Sequence, residues 1–156
     1  MTRWRWERLA ALSGLVAVAL WVIGVVLEEV TNLPGEDPNE ILSWSPDGSN
    51  TILSGACIFM LGSLFFLIFV GALRVRLVRA ESESAFLSAI AFGAGLVVVA
   101  LTLLIPGPNL AGALAKDDLT PEAAQTLTVV DDAFFVGAEL AAALLLVATG
   151  VAILRY

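Results

Sequence analysis

The stretch TILSGACIFMLGSLFFLIFVGALRVRLVR, residues 51–79, decides the fold class of this chain. No acidic or basic residue occurs from Thr51 to Leu73, and three arginines follow between Arg74 and Arg79. A helix rises about 1.5 Å per residue, so roughly 20 apolar residues cross a hydrocarbon core about 30 Å thick. The stretch therefore predicts a membrane-spanning helix followed by a basic segment that lies in water.

Three more apolar runs have the same length, which gives four predicted spans: 9–27, 51–73, 85–105 and 133–154. The whole chain has 156 residues and is 59% hydrophobic, above the roughly 45–50% of soluble domains. Inside lipid the backbone must satisfy its own hydrogen bonds, which favours helices. We therefore expect one membrane domain over residues 1–156, an all-α protein built as an antiparallel four-helix transmembrane bundle.

The charged residues predict which way the spans point. Lysine and arginine beside spans stay preferentially in the cytoplasm. A four-pass chain places seven of its eight basic residues on one side, and these are Arg3, Arg5, Arg8, Arg74, Arg76, Arg79 and Arg155. Eleven of the fifteen acids fall on the other side, with Lys116. We expect cytoplasmic N- and C-termini and two acidic outer loops, in the plasma (cytoplasmic) membrane of a bacterium.

Proline, glycine and threonine predict where the outer loops begin and where helices resume. NLPGEDPN and LIPGPN should each stop a helix, because proline lacks the N–H and glycine accepts a positive φ. Short helical segments should start at Pro38 and at Pro121, where Thr120 can cap the first turn. No glycine or proline lies between Pro121 and the start of the fourth span at residue 133. A single helix of about 50 Å is therefore expected from Pro121 to Leu154.

Several chemistries lack the residues that they require. The chain has no histidine and one cysteine, Cys57, so it has neither a His-ligated metal site nor an intramolecular disulfide. We find no nucleophile–base set and no phosphate-binding loop, and the basic residues lie beside spans instead of forming a nucleic-acid-binding patch. The sequence predicts no enzyme, no cofactor, no bound metal and no nucleic-acid partner. We interpret the acidic loops as a charged surface in contact with water. The alternative is calcium binding, although the acids in these loops match no known calcium-ligand spacing.

Glu139 is the only acid inside a predicted span. Acids within membranes are usually paired or functional, and Glu139 lies about 9 Å from the outer edge if that edge is near Ala133. On the other spans, Trp21, Ser54 and Thr102 lie at about the same depth as Glu139, and Asp131 and Asp132 lie between Glu139 and the outer side. Together with Glu139 these residues form a candidate intramembrane polar site. We expect Glu139 to face other helices and to be hydrogen-bonded to Trp21 or Thr102.

Two functions are compatible with this pattern. The first is a non-catalytic membrane protein that serves as an interaction or assembly subunit, or scaffold, with the lipid bilayer, further copies of itself or other membrane subunits as partners. In that case Glu139 is a contact between helices. The second is a small oligomeric transporter or channel, in which Glu139 is a proton- or cation-coupling group reached past Asp131 and Asp132.

The segments LPGEDPNEILSW and GSLFFLIFVGALRVRLVRAESE, after an Arg/Trp-rich start, carry a family resemblance. With them the chain resembles small multi-pass integral membrane proteins of high-GC, actinobacterial-type bacteria, which are uncharacterised. The resemblance implies the architecture of four or more spans and implies no activity.

Overall fold

The computed structural model describes residues 3–29, 49–81, 85–115, 118 and 120–155 of the chain. All regular structure in these residues is helical, in five helices: α1 Arg3–Glu29, α2 Ser49–Ala80, α3 Phe86–Leu104, α4 Pro106–Leu114 and α5 Pro121–Arg155. Four stretches are long and apolar enough to cross a membrane, and they are Leu9–Leu27, Asn50–Ala80, Phe86–Leu114 and Pro121–Arg155. The predicted all-helical, four-span architecture is confirmed at this level.

Glycines bring α1 and α2 into close, antiparallel contact. A Cβ built on Gly14 would lie 2.9 Å from the Phe69 ring, and one on Gly24 would lie 2.8 Å from Phe59 Cβ. Between them, a Cβ on Gly62 would lie 3.0 Å from the Ala17 carbonyl oxygen. Partner numbers fall along α2 as numbers rise along α1, so the two helices run in opposite directions. Lipid competes equally for apolar side chains, so such close backbone approach is what holds membrane helices together.

The helix pairs α2–α3 and α3–α5 are also antiparallel, and they share a core. Gly95 of α3 lies against Val70 of α2, where an added Cβ would be 2.5 Å from Val70 Cγ1. Near the arginine-bearing end, α2, α3 and α5 pack together through Leu77, Ala91, Ala94, Leu145, Ala148 and Ala152, all buried. At the other end Gly137 of α5 lies against Leu101 of α3. Small residues thus mark the tight contacts, although not every glycine does so, because a Cβ at Gly71 or Gly93 would meet no atom within 4 Å.

Among the described residues, the four long helices form an open row from α1 to α5. Helix α1 has Cα atoms within 8 Å of Cα atoms of α2 and of no other described helix. In the rest of the row α2 packs on α3 and α3 on α5, α2 also approaches α5, and the short helix α4 contacts α2, α3 and α5. The arrangement is compatible with the predicted helical bundle, in which α1 and α5 have no Cα atoms within 8 Å of each other.

Helix ends differ from the predicted span ends in two places. Helix α2 runs through its arginines to Ala80, because charge marks the edge of the hydrocarbon and not the end of a helix. At LIPGPN the predicted turn is only a break: Ile105 keeps helical φ and ψ of −48° and −50°, and α4 starts directly at Pro106. Gly107 does not take a positive φ. Proline lacks an N–H for the α3 ladder but fits the first turn of a new helix.

The prediction of one long helix from Pro121 is confirmed. Helix α5 has 35 residues, or about 52 Å at about 1.5 Å per residue. Thr120 caps it, since the Ala123 N–H donates to Thr120 Oγ1 at 3.3 Å and the Ala124 N–H donates to the Thr120 carbonyl at 2.9 Å. The helix predicted at Pro38 lies outside the described residues.

Glu81 organises the short connection between α2 and α3. Its carboxylate is 4% exposed and accepts the Ser88 backbone N–H at 3.1 Å through Oε1 and at 3.3 Å through Oε2. Ala85, just before α3, has a left-handed φ of 48°, and its carbonyl accepts a 2.8 Å hydrogen bond from Ser88 Oγ. A buried acceptor thereby satisfies one of the N–H groups that the first turn of a helix leaves free.

Candidate functional site

A groove of about 360 Å³ fills the space that α1 and α5 leave between them. We call it the α1–α5 groove. Its lining comes from α1, α2, α3, α5 and Ile105, the residue between α3 and α4, and consists of Trp21, Val22, Val25, Val26, Phe59, Val98, Thr102, Ile105, Phe135, Ala138, Glu139 and Ala142. The groove lies between α1 and α5 because no Cα atom of α1 comes within 8 Å of a Cα atom of α5.

The floor of the groove is packed and its walls are apolar. Phe59, Ile105 and Ala138 form a small buried cluster. Trp21 and Val25 of α1 pack against this cluster. The lining residues of α1, α2 and α3 lie in the halves of those helices that are far from the arginines of α2, and the lining residues of α5 lie near the middle of that helix. We call this side of the helices, where α1 ends and α5 begins, the acidic half. The groove is therefore a lateral opening of the helix row between α1 and α5.

Among the described residues that line the groove, Glu139 is the only ionisable one. It is exposed, and in the part of the chain that the structure describes no hydrogen bond or ion pair reaches its carboxyl group. The sequence placed Glu139 toward other helices, and its side chain does border a space between helices. That space is open, however, so the carboxyl group is not enclosed by this chain.

The predicted hydrogen bond from Trp21 or Thr102 to Glu139 is not formed. The Trp21 indole N–H donates instead to Ser63 Oγ of α2 at 3.1 Å. Thr102 Oγ1 donates to the Val99 carbonyl of its own helix at 3.1 Å. Both residues do line the groove together with Glu139. The depth counted from the sequence therefore placed the three residues correctly around one groove. The two donors, however, are hydrogen-bonded to acceptors other than Glu139.

The other predicted site residues lie away from the groove. Ser54 is exposed, and its hydroxyl donates to the Thr51 carbonyl at 2.9 Å. Asp132 is exposed and Asp131 is half-buried, and neither lines the groove. The Asp131 Oδ1 atom is buried without a hydrogen-bond partner among the described residues. The acidic approach past Asp131 and Asp132 is therefore not part of the cavity that reaches Glu139.

Two polar residues that the sequence analysis did not single out have specific roles. Ser63 is fully buried and anchors the Trp21 indole, which also lies against Phe66 with ring centroids 5.0 Å apart. Glu81 is the buried cap of α3. A serine in the middle of a span was the available signal for Ser63. For Glu81 the signal was an acid in a serine-rich segment directly before an apolar run.

The chemistry available in the groove is that of one carboxylate in an apolar, partly aromatic setting. Among the described residues, no cluster of three or more acidic, cysteine or histidine side chains could hold a metal ion. Residues 30–48, the main part of the first acidic outer loop considered for calcium, lie outside the described residues. A lone carboxylate on an apolar wall can accept hydrogen bonds or pair with a cation, and the groove supplies neither partner.

Comparisons with known proteins add no further assignment. No protein-family model matches this chain, and no curated protein and no solved structure matches it.

Proposed function

We propose that the protein is a non-catalytic integral membrane subunit, and that it assembles with other membrane proteins by receiving one of their transmembrane helices in the α1–α5 groove. The observation that carries this proposal is the exposed, unpaired Glu139 on the wall of that groove. The membrane we propose is the bacterial plasma membrane, with both termini cytoplasmic and the acidic half outward, as the arginines favour.

The energetics of Glu139 support a missing neighbour. A charged side chain within a bilayer costs up to about 2.5–3.5 kcal/mol on insertion scales, the value for the bilayer centre. A nearby donor offsets part of this cost, and polar contacts between membrane helices contribute about 1 kcal/mol. This chain directs its closest donors, the Trp21 indole and the Thr102 hydroxyl, elsewhere. Among the described residues no other donor reaches the carboxyl group, so a donor from another protein would stabilise it.

The arrangement of the helices supports the same proposal. Among the described helices only α2 has Cα atoms within 8 Å of those of α1, and Leu15, Val18 and Val22 of α1 are more than half exposed. Another helix placed between α1 and α5 would contact both and close the row. Apolar walls suit such a helix, because membrane helices associate through close packing and a few polar contacts.

Cross-linking from two adjacent alanines of α5 tests the proposal. Ala142 lines the groove, whereas its neighbour Ala143 is exposed outside it. A photoreactive benzoylphenylalanine at position 142, in native membranes, should give a discrete adduct with another membrane protein. The same probe at position 143 should give mainly lipid adducts. If the two positions gave the same adducts, or if position 142 gave lipid adducts alone, the proposal that a partner helix occupies the groove would be contradicted.

The second candidate is a small oligomeric transporter or channel with Glu139 as the proton- or cation-coupling group. The position of Glu139 on a cavity wall favours it. The absence of Asp131 and Asp132 from the lining argues for the assembly subunit instead, because the cavity then lacks the acidic approach. Proton or cation flux into liposomes containing the purified chain, abolished by Glu139→Gln, would favour transport.

A further inference from the structure

We infer that the helix received by the α1–α5 groove belongs to a different protein and carries a lysine or arginine level with Glu139. This inference rests on the proposed function and specifies the chemistry of the partner. It is drawn from the polar groups of the groove, from the positions of the basic residues in this chain, and from the depth of Glu139.

The groove offers an acceptor and no free donor. Of the lining residues only Trp21, Thr102 and Glu139 carry polar side-chain atoms. The Trp21 and Thr102 donors are occupied within this chain, by Ser63 and by the Val99 carbonyl. An incoming helix therefore meets a carboxylate with both oxygens unpaired. A basic side chain satisfies such a group through hydrogen bonds and also neutralises its charge, as acids and bases within membranes commonly do for each other.

The spans of a second copy carry no such base. From Leu9 to Leu27, Thr51 to Leu73, Phe86 to Leu114 and Pro121 to Leu154 the sequence contains no lysine or arginine. A copy inserted in the same direction carries the arginines of α2 at the opposite end of the helices from the groove. Lys116 comes between Leu114 and Pro121 in the sequence and belongs to none of the four spans. A base within a span therefore has to come from a different polypeptide.

The position of Glu139 sets where the base must lie. The carboxyl group belongs to a residue near the middle of α5, and Phe135 lies one turn closer to the start of that helix on the same wall. Lysine and arginine have long stems that stay in apolar surroundings while the charge reaches toward water. A base one or two turns inside the partner helix can therefore reach Glu139. The rings of Trp21, Phe59 and Phe135 add apolar and cation-binding surface beside it.

Synthetic transmembrane peptides give a direct test with the full-length chain in liposomes. The host is a polyleucine helix with a donor fluorophore, and one position at the depth of Glu139 is lysine, leucine or glutamate. The purified chain carries the acceptor fluorophore, and energy transfer gives the affinity. We expect the lysine peptide to bind about tenfold more tightly than the leucine peptide. Glu139→Gln should remove this preference, and Glu139→Lys should transfer it to the glutamate peptide.

Matched variants separate the failure of this inference from failure of the proposed function. Ala142→Phe fills the groove and should weaken binding of every peptide, while Ala143→Phe, outside the groove, should not. Suppose that Ala142→Phe blocks peptide binding but that the lysine peptide binds no more tightly than the others. That result would overturn the inference of a basic partner, and the proposal that the groove receives a helix would stand. If Ala142→Phe changed the binding of no peptide, the proposal that the α1–α5 groove receives a helix would be overturned. Glu139-dependent association of the chain with itself, stronger than its binding of the lysine peptide, would overturn the inference in favour of a second copy.

Discussion

Replacing Gly24 by leucine is expected to lower the free energy of unfolding by about 3 kcal/mol, at the upper end of the usual overpacking cost. A Cβ at this position would lie 2.8 Å from Phe59 Cβ and 3.0 Å from the Gly55 carbonyl oxygen. A backbone oxygen cannot rotate out of the way, so α1 and α2 must separate. Since no other described helix has a Cα within 8 Å of α1, the substitution should release α1 and leave the core of α2, α3 and α5 in place.

Gly71→Leu is the matched control for this experiment, because a Cβ at Gly71 of α2 meets no atom within 4 Å. Reversible unfolding in mixed micelles, followed by circular dichroism, gives the free energy for the wild type and both variants. We expect Gly71→Leu to stay within about 0.5 kcal/mol of the wild type. If Gly24→Leu were as stable as Gly71→Leu, the glycine-mediated contact between α1 and α2 would be wrong.

Glu81→Ala is expected to lower the free energy of unfolding by about 1–2 kcal/mol. The carboxylate is buried, and it is the acceptor for the Ser88 N–H. Its removal leaves that N–H without a partner, which costs about as much as loss of a helix N-cap. Glu81→Gln keeps one oxygen acceptor and should recover about half of the loss.

The control for Glu81 is Glu122→Ala, which removes an exposed acid from the first turn of α5. Because that acid interacts only weakly with the helix dipole, we expect a change of a few tenths of a kcal/mol. Hydrogen exchange at the start of α3 provides a local measurement, and Glu81→Ala should speed exchange of the Ser88 amide. Unchanged exchange and stability would show that the connection between α2 and α3 does not depend on this carboxylate.

Hydropathy and length were sufficient to predict the four long helices. A run such as 51–73 has no charge that could be left in lipid, so its position follows from composition alone. The start of α5 could also be predicted, because Thr120 and Pro121 are specific helix-start residues. The extension of α2 to Ala80 could not, since arginines are compatible with both a helix and a loop.

The contacts between helices are not determined by hydropathy. Both faces of a spanning helix are apolar, so no polar stripe indicates which face is buried. Gly24 and Gly71 look alike in the sequence, yet only Gly24 meets another helix. For the same reason the sequence could place Trp21, Thr102 and Glu139 at one depth, but it could not show that Ser63 takes the Trp21 donor.

The separation of α1 from α5 is the claim on which the groove, the unpaired Glu139 and the proposed partner all depend. Cysteine pairs in a Cys57→Ser background test it most directly, in the purified chain reconstituted without a partner. A disulfide requires Cα atoms less than about 7 Å apart, and no Cα of α1 comes within 8 Å of α5. Under mild oxidation Gly24→Cys with Phe59→Cys, across the α1–α2 contact, should cross-link. Val22→Cys with Ala142→Cys, across the groove, should remain reduced. Rapid and complete cross-linking of the second pair would show that α1 and α5 pack together, and would contradict the account.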